Sequence, residues 1–161
     1  MDLREFFGNG FSSFFQRETA FQKDPPDIFM ARAEMKQCLN VLILDDEFIV
    51  CKRLKADLEK DGYLVEAFTS SAEVLKRIEQ KDFDIIITDL KMEGADGEQI
   101  LKRAKEKSPT VEVIIITGYA TIKYAQRCIE KGAFDLIAKP FKLDAIRMAV
   151  KRAAQRITGI N

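Results

Sequence analysis

The chain has 161 residues, 47% of them hydrophobic, which suits one domain with a packed core plus an extension. Lys+Arg and Asp+Glu balance at 26 each, and no run of like charge breaks that balance, so direct nucleic-acid binding by this chain is not expected. No signal peptide or long apolar span is present, and Cys38, Cys51 and Cys128 are odd in number and lack metal spacing; a cytoplasmic chain with no membrane span and ordinary half-buried thiols is expected.

In chain order, residues 1–37 come first as a Phe-rich segment, with six phenylalanines in the first 21 positions. Phe7, Phe11, Phe14 and Phe21 fall near one helical face, although Gly8 and Gly10 each weaken a helix there by about 1 kcal/mol. An apolar face of that kind needs a cover, and packing on the rest of the chain or homodimerisation is the favoured expectation, ahead of a partner protein. Residues 1–26 carry three basic and four acidic side chains, which disfavours a membrane surface. Pro25-Pro26 interrupts the segment, and Asp27 caps a second short helix to about Gln37.

From there strands and helices alternate. Val41–Leu44 reads as a strand and Phe48–Lys60 as a helix ended by Gly62. Leu64–Phe68 is a second strand, followed by Ser70-x-x-Glu73, a capping-box pattern that opens a helix with Val74, Leu75 and Ile78 turned inward. Ile85–Thr88 is the third strand, the loop KMEGADG supplies two turn glycines, and a helix runs from about Glu98 to Lys107, before Pro109. Val111–Ile116, a helix over about Ile122–Lys131, Leu136–Ala138 and a last amphipathic helix over Leu143–Ile157 complete the alternation. The expected fold is α/β, a doubly wound five-stranded parallel sheet of flavodoxin-like type with a helical N-terminal extension.

In such a sheet the ligand crevice lies outside the carboxyl ends of the strands. Four strands run straight into a polar residue there: Asp45/Asp46, Asp89, Thr117 and Lys139. Three carboxylates in one crevice repel by several kcal/mol unless a cation intervenes, and oxygen-only donors suit Mg2+. With Mg2+ on one side and Lys139 on the other, a phosphoryl group would be neutralised from two directions, Thr117 would donate to a third oxygen, and Asp89 is placed as a nucleophile forming an aspartyl phosphate. Taken singly, each residue has a plainer reading: Asp-Asp-Glu as a helix cap with first-turn charge, Asp89 as a turn, Thr117 as a cap, Lys139 as a solvated strand end. The joint placement at four strand ends favours the phosphoryl site.

At these residues the chain resembles the receiver domain of bacterial two-component response regulators, over roughly residues 38–157, leaving 158–161 as a tail. The resemblance implies that Asp45 and Asp46 help bind Mg2+, that Asp89 takes a phosphoryl group from a sensor histidine kinase or phosphotransfer protein, that Thr117 and Lys139 hold the product, and that the Lys91 backbone carbonyl completes the metal shell. It also implies a phosphorylation-switched signalling protein acting on a downstream protein target, not an enzyme in the usual sense. The sequence contains no histidine, so the chain cannot be the phosphohistidine donor. Pro140 is expected to fix the turn that aims Lys139 over the pocket, through a cis bond.

Three features depart from the family pattern. Glu93 stands where receivers commonly carry Pro, adding negative charge near the pocket and predicting a metal-hungry site. Leu136 stands where many members have Tyr or Phe, so a Thr-to-aromatic coupling cannot be copied and plain aliphatic packing under the last helices is expected. The Phe-rich extension replaces the usual carboxyl-terminal effector, and a stand-alone regulator is expected. Other classes fit less well: a haloacid-dehalogenase phosphatase places its carboxylates as Asp-x-Asp on the first strand, and a flavin carrier would not offer phosphate the acidic loop DDEFIV. A receiver-like interaction module that signals without phosphate is the alternative.

Overall fold

The computed structural model describes residues 38–92, 96–118 and 121–159. The Phe-rich extension, its expected helices and dimer contact, and Glu93 lie outside the described residues. Five strands, β1 (Asn40–Leu44), β2 (Leu64–Phe68), β3 (Ile85–Asp89), β4 (Glu112–Thr117) and β5 (Asp135–Ala138), alternate with five helices, α1 (Phe48–Lys60), α2 (Ser71–Gln80), α3 (Gly97–Lys107), α4 (Ile122–Glu130) and α5 (Leu143–Thr158). All pairings are parallel and the strand order is β2-β1-β3-β4-β5. The chain winds one way from β1 to β2 and the other from β3 to β5, so the crevice of the sheet opens where β1 and β3 adjoin.

The strands are apolar on both faces because helices cover both. Val41, Ile43, Ile85, Ile87, Ile114 and Ile116 face a core shared with Leu54 and Leu58 of α1 and Ile146, Ala149, Val150 and Ala153 of α5. The alternate residues Leu42, Leu44, Ile86, Val113 and Ile115 face a second core with Val74 and Ile78 of α2, Ile100, Leu101 and Ala104 of α3 and Cys128 of α4. The two-residue period of the strand thus divides one aliphatic run between two layers.

Two helix ends follow from single glycines. After α1, Gly62 (φ 93°) donates to Glu59 and Tyr63 donates to Leu58; after α4, Gly132 (φ 95°) donates to Ile129 and Ala133 to Cys128. Each is a turn whose left-handed residue lets the chain satisfy the last carbonyls and head into the next strand.

The capping box expected at Ser70 does not form. Ser70 is the N-cap of α2 by its extended backbone, but its side chain makes no cap bond, and its carbonyl simply accepts the Val74 amide at 3.2 Å. Side-chain caps form elsewhere instead, Asp96 accepting the Gln99 amide at α3 and Thr121 accepting that of Tyr124 at α4. The cysteines are free, but the half-buried reading holds for none of them, since Cys51 and Cys128 are buried and Cys38 is exposed.

Candidate functional site

The register of the sheet brings the strand ends together. Asp89 is the last residue of β3, paired with Ile116, and Thr117 ends β4, paired with Ala138. Asp45 follows β1 directly, and the Lys139 amide donates to the Thr117 carbonyl at 2.8 Å, so the lysine leaves β5 beside the threonine. Asp45, Asp89 and Thr117 are buried and Asp46 is exposed. The Lys139–Pro140 peptide bond is cis, as the sequence led us to expect.

Lys139 organises the crevice. Its Nζ lies 2.9 Å from Asp45 Oδ2, 2.8 Å from Asp89 Oδ2 and 3.3 Å from Glu47 Oε1. The other oxygen of each buried carboxylate accepts a backbone N–H from two residues further on, Asp45 Oδ1 from Glu47 at 2.9 Å and Asp89 Oδ1 from Lys91 at 3.2 Å. Both acids are therefore held in the same way, one oxygen on a loop amide and one on the shared ammonium. Burial pushes the Asp45 carboxyl above its ordinary range, against the hydrogen bonds from Lys139 and Glu47. Burial would lower Lys139, but its hydrogen bonds to Asp89 and Asp45 outweigh that and hold the ammonium above its usual range.

Sequence reasoning missed Glu47. Its backbone is the N-cap of α1, yet its side chain makes no cap bond and reaches Lys139. The carboxylates of Asp45, Asp46 and Glu47 lie within 4.8 Å of one another, a hard oxygen donor set at the mouth of the pocket. A buried, desolvated carboxylate beside two exposed ones suits a divalent cation that keeps some of its water, so these residues fit Mg2+. The only signal available in the sequence was the third acid of Asp-Asp-Glu, and where it reaches depends on the path of the loop.

Two glycines shape the surroundings. A Cβ on Gly97 would stand 2.7 Å from the Asp89 carbonyl oxygen and 3.0 Å from Leu90 Cα, so the start of α3 packs against the backbone of the β3 end with no room to spare. A Cβ on Gly118, the residue after Thr117, would meet nothing within 4 Å among the described residues. Leu136, paired with Ile115 across the β4–β5 seam, packs against the core on the α2–α4 side of the sheet as a plain aliphatic.

Residues 41–151 match the response regulator receiver domain family. The chain belongs to that family. Receiver domains are phosphorylation-switched signalling modules, and the described fold is that of the family. Among curated relatives, the putative NtrX-like response regulator of Rickettsia typhi is 37% identical over 119 residues, 73% of this chain and 25% of that protein. The chain spans about a quarter of the length of the curated relatives it matches. Among solved structures, a receiver domain from Clostridium thermocellum is 31% identical with a TM-score of 0.70, covering 76% of this chain and 99% of that one. A response regulator from Burkholderia pseudomallei, solved with a phosphorylated aspartic acid, a calcium ion and citrate, is 27% identical with a TM-score of 0.65, covering 75% and 71%. Among the described residues, no helix of this receiver is long and apolar enough to cross a membrane.

Proposed function

We propose that this receiver accepts a phosphoryl group on Asp89 from the phosphohistidine of a sensor kinase or phosphotransfer protein, and signals in the cytoplasm through protein contacts. The observation that carries the reading is the pair of buried carboxylates, Asp45 and Asp89, held by one ammonium at 2.9 and 2.8 Å at the crevice of the sheet. A site built to balance buried negative charge with a mobile cation is suited to a ligand that brings more negative charge. The phosphorylated aspartate of the Burkholderia pseudomallei relative supports the same chemistry.

In the reaction a carboxylate oxygen of Asp89 attacks phosphorus in line, the new O–P bond forms as the P–N bond to the donor imidazole breaks, and the imidazole leaves with the bonding electron pair. Asp45, Asp46, Asp89 and the Lys91 carbonyl would hold Mg2+, which when bound neutralises phosphoryl charge. Lys139 turns its ammonium from the Asp89 carboxylate to a phosphoryl oxygen, and the Thr117 hydroxyl donates to another. Gly118, which carries no side chain, admits the water that later hydrolyses the acyl phosphate. Residues 38–157 form the receiver, and residues 1–37 serve self-association.

The test is intact-mass spectrometry after incubation with a small acyl-phosphate donor, with and without Mg2+. The parent gains one phosphoryl group only with the metal, and Asp89→Asn gains none. Full labelling of Asp89→Asn would remove the acceptor assignment; no gain in the parent would favour the phosphate-independent interaction module. A Glu93→Gln chain that labels with the parent's Mg2+ dependence would show that Glu93 does not make the site metal-hungry.

A further inference from the structure

Thr88 is a hydroxyl in an aliphatic layer. The three residues before it in β3, Ile85, Ile86 and Ile87, are buried aliphatics, and Thr88 follows them at 0% exposure. In the register it stands between Leu44 of β1 and Ile115 of β4, on the face of the sheet that also carries Leu42, Ile86 and Val113. The pattern calls for an aliphatic at this position. Valine has the same branched shape and suits a strand as well, whereas a hydroxyl taken out of water costs free energy unless it is hydrogen-bonded. The Thr88 hydroxyl is bonded, and its acceptor is the backbone carbonyl of Asp89, 2.9 Å away.

That carbonyl lies where the sheet stops holding the chain. The β1 ladder ends at the Leu44–Thr88 pair, one residue short of Asp89, while the β4 ladder runs on to Asp89–Ile116. From Asp89 the chain turns out of the sheet, the Leu90 amide donating to the Ile116 carbonyl at 2.9 Å and the Lys91 amide to Asp89 Oδ1 at 3.2 Å. Gly97 bounds the same carbonyl, since a Cβ there would come within 2.7 Å of its oxygen. The bonds from Leu90 and Lys91 are backbone bonds that almost any residue could make, whereas the one from Thr88 depends on the residue type. A rotation of the peptide between Asp89 and Leu90 carries the next residues with it. It would displace the amide that fixes Asp89 Oδ1, and with it the carboxylate whose other oxygen lies 2.8 Å from Lys139 Nζ.

We propose that Thr88 is a positioning residue of the acceptor: its hydroxyl holds the Asp89–Leu90 peptide, and through it the Asp89 carboxylate and the Lys91 carbonyl, in the geometry that metal binding and phosphoryl transfer require. The effect on transfer rests on the phosphoacceptor reading above; the hold on the peptide does not. Thr88 acts through the backbone, because successive side chains of a strand point to opposite faces and the Thr88 hydroxyl and the Asp89 carboxylate do not share one.

The test compares the full-length parent with Thr88→Val, which keeps the branched shape and loses the hydroxyl, Thr88→Ser, which keeps the hydroxyl, and Ile86→Val, which trims a buried side chain on the same face of the same strand. Amide NMR of the metal-free chains reads the peptide, a Mg2+ titration on the same signals reads affinity, intact mass reads the labelling rate at saturating Mg2+ and acyl phosphate, and urea midpoints read stability. Thr88→Val should shift the Leu90, Lys91 and Gly97 amides and weaken Mg2+ about tenfold. At saturating metal its labelling should still be slower by about tenfold. Thr88→Ser should restore the parent's amide positions, affinity and rate, and Thr88→Ala, which gives up hydroxyl and methyl together, should behave as Thr88→Val does. Ile86→Val should lose stability while keeping the parent's affinity and rate. Parent-like amides in Thr88→Val would overturn the hold on the peptide, and shifted amides with unchanged affinity and rate would overturn the positioning role. A Thr88→Ser chain as impaired as Thr88→Val, or an Ile86→Val chain slowed as much, would make shape or stability the cause and overturn the role of the hydroxyl. Absence of a phosphoryl mass gain in the parent would overturn the acceptor reading and the effect on transfer with it, while the metal-free amides and the Mg2+ titration would still decide the hold.

Discussion

At Asp45 and Lys139, substitutions that remove charge should act in opposite directions on stability. Asp45 is a desolvated carboxylate whose charged form is disfavoured by burial, and Lys139 is the cation that offsets it. Lys139→Ala leaves Asp45 and Asp89 buried near each other with no ammonium between them, and should cost about 2–4 kcal/mol in metal-free buffer. Millimolar Mg2+ should restore part of that loss, since a divalent cation can take over the neutralisation. Asp45→Asn removes one of the two negative charges, leaves Lys139 with Asp89 and Glu47, and should raise metal-free stability by about 1 kcal/mol while weakening the response to Mg2+. Urea titrations of parent and both variants, with and without Mg2+, check the signs, and a Lys139→Ala chain as stable as the parent without metal would remove the charge-balance account. These residues were legible in the sequence because a strand buried on both faces is an unbroken aliphatic run, and the first polar residue after it marks the sheet edge. Glu47 was not, because a loop side chain's reach is not a matter of spacing.

Helix and strand bounds were legible to within about a residue for the same reason, with glycine stops at Gly62 and Gly132 adding a conformational signal. The contacts between elements were not. Gly97 read as a turn glycine, yet it is the first residue of α3 and abuts β3, so Gly97→Ala should cost about 1–3 kcal/mol and lower the phosphorylation rate by displacing the acceptor backbone; urea midpoints and the mass assay report the two effects. Glu66, within β2, joins that strand to α2, taking Arg77 on both oxygens at 2.7 and 2.9 Å and Lys81 at 2.9 Å, a link that no periodicity in the sequence shows. Its bonds to Arg77, and then Lys81, outweigh burial and lower its carboxyl to about 2. A carboxyl whose folded pKa lies below its unfolded value near ~4.3 adds stability that is fully present above that value and is lost as pH falls toward about 2. Glu66→Gln should therefore cost about 1 kcal/mol at pH 7, after allowance for solvent screening, and the parent–variant gap should close near the lower limit. A gap that stays constant from neutral pH to about 2 would mean that packing, not charge, joins these elements.

At the scale of the whole molecule, the described residues of the two cores run from Leu39 to Ile157, and among the described residues no buried side-chain nitrogen or oxygen lacks a hydrogen-bond partner. Among the described residues, helices of the receiver cover both faces of the sheet. The six phenylalanines within the first 21 residues bring further apolar surface that needs a cover. Each ring buries on the order of 150–250 Å2 when covered, enough in sum for two copies to associate through that segment. A chain beginning at Cys38 should unfold within about 2 °C of the full chain at dilute concentration, because about 1 kcal/mol lost from a domain of this size would already move the midpoint by more. It should take up one phosphoryl group as the parent does, and light scattering should give it the mass of a monomer where the full chain gives a dimer. A monomeric full chain with an unchanged midpoint would leave the phenylalanines to a different protein partner. A large fall in the midpoint on truncation would instead place them on the receiver itself, and the choice among the three is made by measuring mass and midpoint on the same two chains.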